Sequence, residues 1–175
     1  KDFLKAHASL KSLTKFLLPC YTLGQYMNET MIEQAEARIR PLIRETPLEF
    51  SPTLSTETCS VYLKLENFQH TGSFKVRGAF NKLLSLPEAE KAKGIVTAST
   101  GNHGAATAYA LKTLNAKGII FVPENASKAK VANIKRYGAE VRFFGDDGVL
   151  TELHARQFAK ENAITYISPY NDEAV

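Results

Sequence analysis

The stretch from Gly94 to Ser168 decides the fold. It holds four short apolar runs: GIVTA at 94–98, GIIFV at 118–122, EVRFF at 140–144 and ITYIS at 164–168. They recur about every 23 residues, and the three gaps between them carry helical patterns. Short apolar runs alternating with helices mark parallel strands buried on both faces. The fold class is α/β: an open, twisted parallel sheet of about four strands with helices on both faces. Crossovers of this length are expected to be right-handed. Gly118 and Gly138 stand where helices should end. The runs share no side-chain motif, so the period marks βα units rather than a solenoid.

Working outward, SVYLKLE at 60–66 alternates apolar with polar residues and reads as a strand. A helix is expected from about Ser73 to Leu86, stopped by Pro87. Another is expected from Thr30 to Arg40, with Thr30 as cap and Glu33 three residues on. Pro41 and Pro47 then lead into an extended loop. Residues 1–26 differ: they are rich in Lys and Leu and carry +3 of the net charge of +4. An upstream extension foreign to the protein, a genuine helical extension and an organelle-targeting leader all fit that composition. The rest of the chain is nearly neutral, so the pI near 9.0 does not argue for nucleic acid. At 44% hydrophobic and 23% charged the chain is globular rather than disordered. No apolar run of about 18 residues suggests a membrane span. Cys20 and Cys59 are too few for a disulfide framework and lack metal-ligand spacing. Cytoplasm is the expected address, or an organelle if the leader is real. Cys59 is expected to pack beside a strand, and His154 to lie at the surface.

Two clusters carry chemistry. In ENFQHTGSFKVRGAF at 66–80, Thr71, Gly72 and Ser73 make a turn and Lys75 falls in the first turn of the following helix. The positive end of the helix dipole disfavours a lysine there. The same field, with burial, would lower the amine's pKa and make it a nucleophile. A solvated lysine is the plainer alternative. Gly78 and Ala79 are small enough to admit a close neighbour. In TASTGNHGAATAYA at 97–110, a strand runs into Ser-Thr-Gly-Asn-His-Gly and then an Ala-rich helix. Backbone amides and hydroxyls at such a turn form an anion site, for phosphate or carboxylate. The alternative is a tight βα loop with a packed histidine. Neither a Walker A loop nor GxGxxG is present.

Together, KLENFQHTGSFKVRGA, TASTGNHGAATAYA and FVPENASKAKVANIKRYGAEV resemble the pyridoxal-phosphate-dependent serine/threonine dehydratases, of tryptophan synthase β-like fold type II. The resemblance covers roughly residues 32–172. It implies that Lys75 forms the imine with pyridoxal 5'-phosphate and takes the substrate's Cα proton. It implies that Phe74 packs beside the cofactor ring and that Asn102 hydrogen-bonds the ring hydroxyl. Ser99, Thr100, Gly101 and His103 would grip the substrate carboxylate. The implied reaction is ammonia-lyase chemistry, converting a hydroxy-amino acid to a 2-keto acid and ammonia. A racemase or β-replacement synthase would use the same lysine. In serine racemases resembling this group a serine stands where Thr100 stands here, which weakens the racemase reading. His70 departs from the usual residue and has no assigned role.

The resemblance also implies a domain division. Residues 1–26 are the extension, 27–86 an incomplete N-terminal part of a large cofactor domain, 87–168 the small α/β domain, and 169–175 the return. Members of the family are longer and carry the phosphate-binding loop further on. The 175 residues alone are therefore expected to bind the cofactor poorly, and a non-catalytic remnant is the competing reading. The implied partners are an amino-acid substrate and a second copy in a homodimer, with no nucleic acid and no membrane.

Overall fold

The computed structural model describes residues 29–172 and 174–175. The extension expected over 1–26, with His7 and Cys20, lies outside the described residues. Helix α1 spans Glu29–Ile39, followed by a 3-10 turn at Arg40–Leu42. Strands β1 (Leu48–Phe50) and β2 (Tyr62–Lys64) pair antiparallel. A 3-10 turn at Glu66–Phe68 leads to α2 (Lys75–Ser85) and α3 (Glu88–Lys93). Then come β3 (Ile95–Ala98), α4 (Asn102–Thr113), β4 (Gly118–Val122) and α5 (Lys128–Lys135). The series ends with β5 (Glu140–Phe143), α6 (Gly148–Glu161) and β6 (Thr165–Tyr166).

The four expected runs form one parallel sheet in the order β5-β4-β3-β6. Side chains alternate across it, as the pleat requires. Val96, Ala98 and Phe121 pack on Ala155 and Ala159 of α6. On the other face, Ile120 and Val122 meet Ala108 of α4 with Val131 and Ile134 of α5. Ile95 joins α4 and α2 in a third cluster with Ile39 and Ile167. Helix α4 is buried along nearly its whole length, from His103 to Ala108 and at Ala110 and Leu111. Its glycine and alanines let it lie between the sheet and α2. Helix α2 answers with a stripe of Val76, Ala79, Phe80 and Leu83, the spacing of one helical face. Phe80 meets Tyr109 edge-on at 5.8 Å between centroids.

Several details differ from expectation. Gly118 does not end a helix; it opens β4, and Asn115 adopts the left-handed conformation after α4 instead (φ 51°). A Cβ on Gly118 would strike Leu111, so the glycine serves packing. Gly138 does follow α5 at φ +81°. Thr30 lies inside α1 rather than capping it. Helix α3 is too short to show a period, and its signals are Glu88 and Glu90 at the start with Lys91 and Lys93 at the end. The stretch after Pro47 is a strand because it pairs with β2, which periodicity over three residues cannot reveal. Cys59 is exposed in the loop between β1 and β2. His154 is no free surface residue: it stacks on Phe144 at 3.6 Å and meets Phe121 edge-on.

Phe80 is fully buried at the junction of α2 and α4. Phe80→Ala is expected to lower the unfolding free energy by about 3–5 kcal/mol. Urea unfolding measures this, and a loss under about 1 kcal/mol would show that the junction carries little of the fold.

Candidate active site

The site lies where the sheet changes direction. β4 and β5 extend from one side of β3, and β6 returns on the other. In open α/β sheets a crevice forms at the carboxyl ends of the strands at such a point. Here a cavity of about 610 Å³ opens there, lined by the residues after β3 (Ser99–His103), after β5 (Asp147–Gly148) and after β6 (Pro169, Tyr170), with Lys75. That volume falls within the range of small-molecule sites.

Lys75 is the first residue of α2, and the turn before it is anchored twice. Arg77 donates both Nε and Nη2 to Glu66, at 2.9 and 2.8 Å, while Thr46 Oγ1 donates to the same carboxylate at 2.6 Å. The Arg77 guanidinium holds the Glu66 carboxyl below its usual pKa, against the opposing effect of burial. Gln69 closes on the Arg44 backbone from both sides, accepting from its N–H at 3.2 Å and donating to its carbonyl at 2.6 Å. Lys75 Nζ then donates to the Pro169 carbonyl at 2.9 Å, across 94 residues of chain. The rings of Phe74 and Tyr170 lie 5.5 and 6.0 Å from that nitrogen.

The facing wall is the β3–α4 turn. Ser99 N–H donates to the Phe121 carbonyl at 3.1 Å, and Ser99 Oγ accepts from Gly101 N–H at 3.2 Å. The amides of Asn102, His103 and Gly104 open α4 and have no acceptor within the helix. Gly104 is obligatory, because a Cβ there would collide with the Ser99 carbonyl. The His103 side chain is folded beneath the turn, 3% exposed. Thr97 Oγ1 donates to the Ile167 carbonyl at 2.8 Å, so the contact of 3.1 Å with His103 Nε2 makes that nitrogen the donor. His103 Nδ1 is then a buried acceptor with no partner. Burial, and then the charge of Lys75, push the His103 pKa down to about 4. The ring is neutral at physiological pH.

The structure thus gathers Lys75, Ser99, Thr100, Gly101, Asn102 and His103 around one cavity. Phe74 flanks Lys75 but is 58% exposed and does not line that cavity. Sequence reasoning missed Pro169, Tyr170, Asp147 and Glu152 on its other walls. Their signal was positional: Pro169 and Tyr170 follow β6, Asp147 caps α6, and Glu152 lies one turn into that helix.

Residues 39–175 match the model of the family described as "Pyridoxal-phosphate dependent enzyme". The chain belongs to the pyridoxal-phosphate dependent enzyme family. It is 47% identical over 146 residues to the catabolic L-threonine dehydratase of Staphylococcus aureus (strain N315), an alignment taking in 82% of this chain and 42% of that enzyme. Among solved structures, the processed threonine deaminase isoform 2 of Solanum lycopersicum is 28% identical with a TM-score of 0.74, covering 90% of this chain and 50% of that one. Maize serine racemase is 34% identical with a TM-score of 0.75, covering 82% and 44%. The chain spans less than half the length of the curated relatives it matches. The residues present fit pyridoxal phosphate. The cavity is of suitable volume, Lys75 brings an amine to it, and the amides opening α4 on its facing wall have no acceptor within the helix.

A histidine whose folded pKa is depressed resists protonation in the native state. The unfolded chain binds the proton more readily between about 6.5 and about 4, so stability falls as pH drops through that window. The imidazole C–H signal of His103 is expected to titrate near pH 4 by NMR, and Thr97→Val should shift that midpoint. A midpoint above 6 would refute the buried, neutral ring.

Proposed function

We propose that the complete protein is a pyridoxal-phosphate-dependent ammonia-lyase that converts L-threonine or L-serine to a 2-keto acid and ammonia. One observation carries this reading: the Lys75 amine shares a cavity with the Ser99–His103 turn. An amine and an anion-binding turn on opposite walls suit an α-amino acid, whose carboxylate and Cα–H must be held at once. When bound, the cofactor supplies an aldehyde and a ring that stabilises negative charge at Cα.

The chain's own residues do the rest. The amides opening α4, with the Ser99 and Thr100 hydroxyls, bind the substrate carboxylate. Asn102, exposed at the cavity, would hold the cofactor by donating to its ring hydroxyl. Lys75 Nζ is the base: it removes the Cα proton and holds it for return to the leaving group. The Pro169 carbonyl orients that nitrogen when it is free. Fixing both partners removes orientational freedom from the step, an effect worth several kcal/mol. His103 stays neutral and supports the turn from below.

The likeness to maize serine racemase supports racemisation as the second reading. Thr100 argues against it, being the position expected to carry a serine proton donor in that group. We assign the whole protein to the cytoplasm as a homodimer, with residues 87–168 as its small domain and 27–86 as part of the large one. Among the described residues no helix is long and apolar enough to cross a membrane.

Keto acid release from L-threonine by the complete protein tests the proposal. Lys75→Ala is expected to lower kcat by at least about a thousandfold, because it removes the base outright. Formation of D-serine without keto acid would replace the lyase with a racemase. A Lys75→Ala variant within tenfold of the native rate would overturn the site.

A further inference from the structure

Helix α2 has a second stripe besides its apolar one. Lys75, Gly78 and Lys82 fall at i, i+3 and i+7, on one face. The segment after β6 lies along that face. Lys75 Nζ donates to the Pro169 carbonyl at 2.9 Å. Gly78 lets the Val175 main chain pack directly on the helix, with Val175 Cα 2.8 Å from where a Cβ would stand. Asn81 Nδ2 donates to the Ala174 carbonyl at 3.0 Å. Lys82 Nζ pairs with Asp172 Oδ1 at 3.1 Å, the two side chains being 22% and 11% exposed. The same Asp172 oxygen accepts from Ala174 N–H at 3.1 Å. Asp172 therefore fastens the segment to itself and to the helix at once.

The other end of the segment is held on β3: Ile167 N–H donates to the Val96 carbonyl at 2.9 Å, and Thr97 Oγ1 donates to the Ile167 carbonyl at 2.8 Å. Ser168 Oγ accepts from the N–H groups of Tyr170 and Asn171 at 3.3 and 3.1 Å. Arg156 reaches Ser168 at 3.4 Å, but it also pairs with Glu152 on its own helix. A two-residue strand, β6, precedes this turn. The position of the Pro169 carbonyl is thus set from both sides: by Ile167 held on β3, and by Asp172 and Ala174 held on α2. A half-buried ion pair resists displacement, because separating it leaves a poorly solvated charge on each side.

We propose that the Lys82–Asp172 ion pair is a positioning device for Lys75, clamping the segment after β6 along α2 so that the Pro169 carbonyl stays on the lysine nitrogen. Neither residue touches the cavity, so both act through that carbonyl. The interaction explains a lysine at Lys82 and an acid at Asp172 that the catalytic reading leaves unused. It makes α2 a ruler: the base at one end is set by a charge pair two turns along.

The kinetic part of the test rests on the lyase reading, while the exchange part uses cofactor-free protein and does not. In the complete protein, Lys82→Met and Asp172→Asn are each expected to lower kcat about tenfold with KM within twofold, the mark of a misplaced reacting group. The double variant should lose no more than either single, since the two residues act as one pair. Lys82→Arg, which keeps the charge, should stay within twofold of native and serves as the measurement if Lys82→Met fails to fold. In cofactor-free protein, amide exchange at Tyr170–Asp172 should quicken more than tenfold in Lys82→Met or Asp172→Asn, while β3 and β4 are unchanged. Single variants within twofold of the native kcat, losses that multiply in the double variant, or unchanged exchange at Tyr170–Asp172 would each overturn the proposal. Faster exchange with no measurable lyase activity in native protein would keep the clamp and reject the lyase reading.

Discussion

The hydrogen bond from Lys75 Nζ to the Pro169 carbonyl joins the two halves of the structure. One partner stands at the start of a helix in the first half of the chain. The other comes just after the last strand of the sheet. Everything that makes the site useful serves to keep those two ends together. The apolar stripe of α2 docks on α4, α4 docks on the sheet, and β6 pairs with β3. Each layer is ordinary packing, but together they place an amine at the mouth of a crevice.

A lysine at the first position of a helix opposes the dipole, and a bare acceptor on His103 wastes a hydrogen bond. Lys75 lines the cavity, and the His103 ring lies beneath the turn that forms its facing wall. Local unfavourable choices that gather at one place are the pattern of a functional site. The surroundings offset them. The Glu66–Arg77 pair and the Gln69–Arg44 clasp fix the turn that presents Lys75, and Gly104 lets α4 close beneath the facing turn.

Much of this was legible from residue pattern. The four apolar runs became the four strands; the central β3 and β4 are buried enough to read as continuous apolar stretches, whereas β5 and β6 at the edges are only partly covered. The tight turn after β3 was visible in Ser-Thr-Gly-Asn-His-Gly, where Gly104 admits the Ser99 carbonyl. The features that the pattern hid depend on long-range pairing. Strand β1 exists only through its partner, and α3 is shorter than two turns. Gly118 resembled a helix stop but answers to Leu111 in space. The Pro169 carbonyl was hidden most completely, because a backbone oxygen has no side chain to announce it. His103 was legible as a member of the turn, but its direction was set by Thr97, six residues earlier on the strand.

Reductive trapping is the most direct test of the central claim. The complete protein is mixed with pyridoxal phosphate, reduced with borohydride, digested and mapped by mass. One major modified peptide is expected, carrying the label on Lys75. A label spread over surface lysines, or one centred on another residue such as Lys64 or Lys82, would contradict the assignment of Lys75 as the reacting amine.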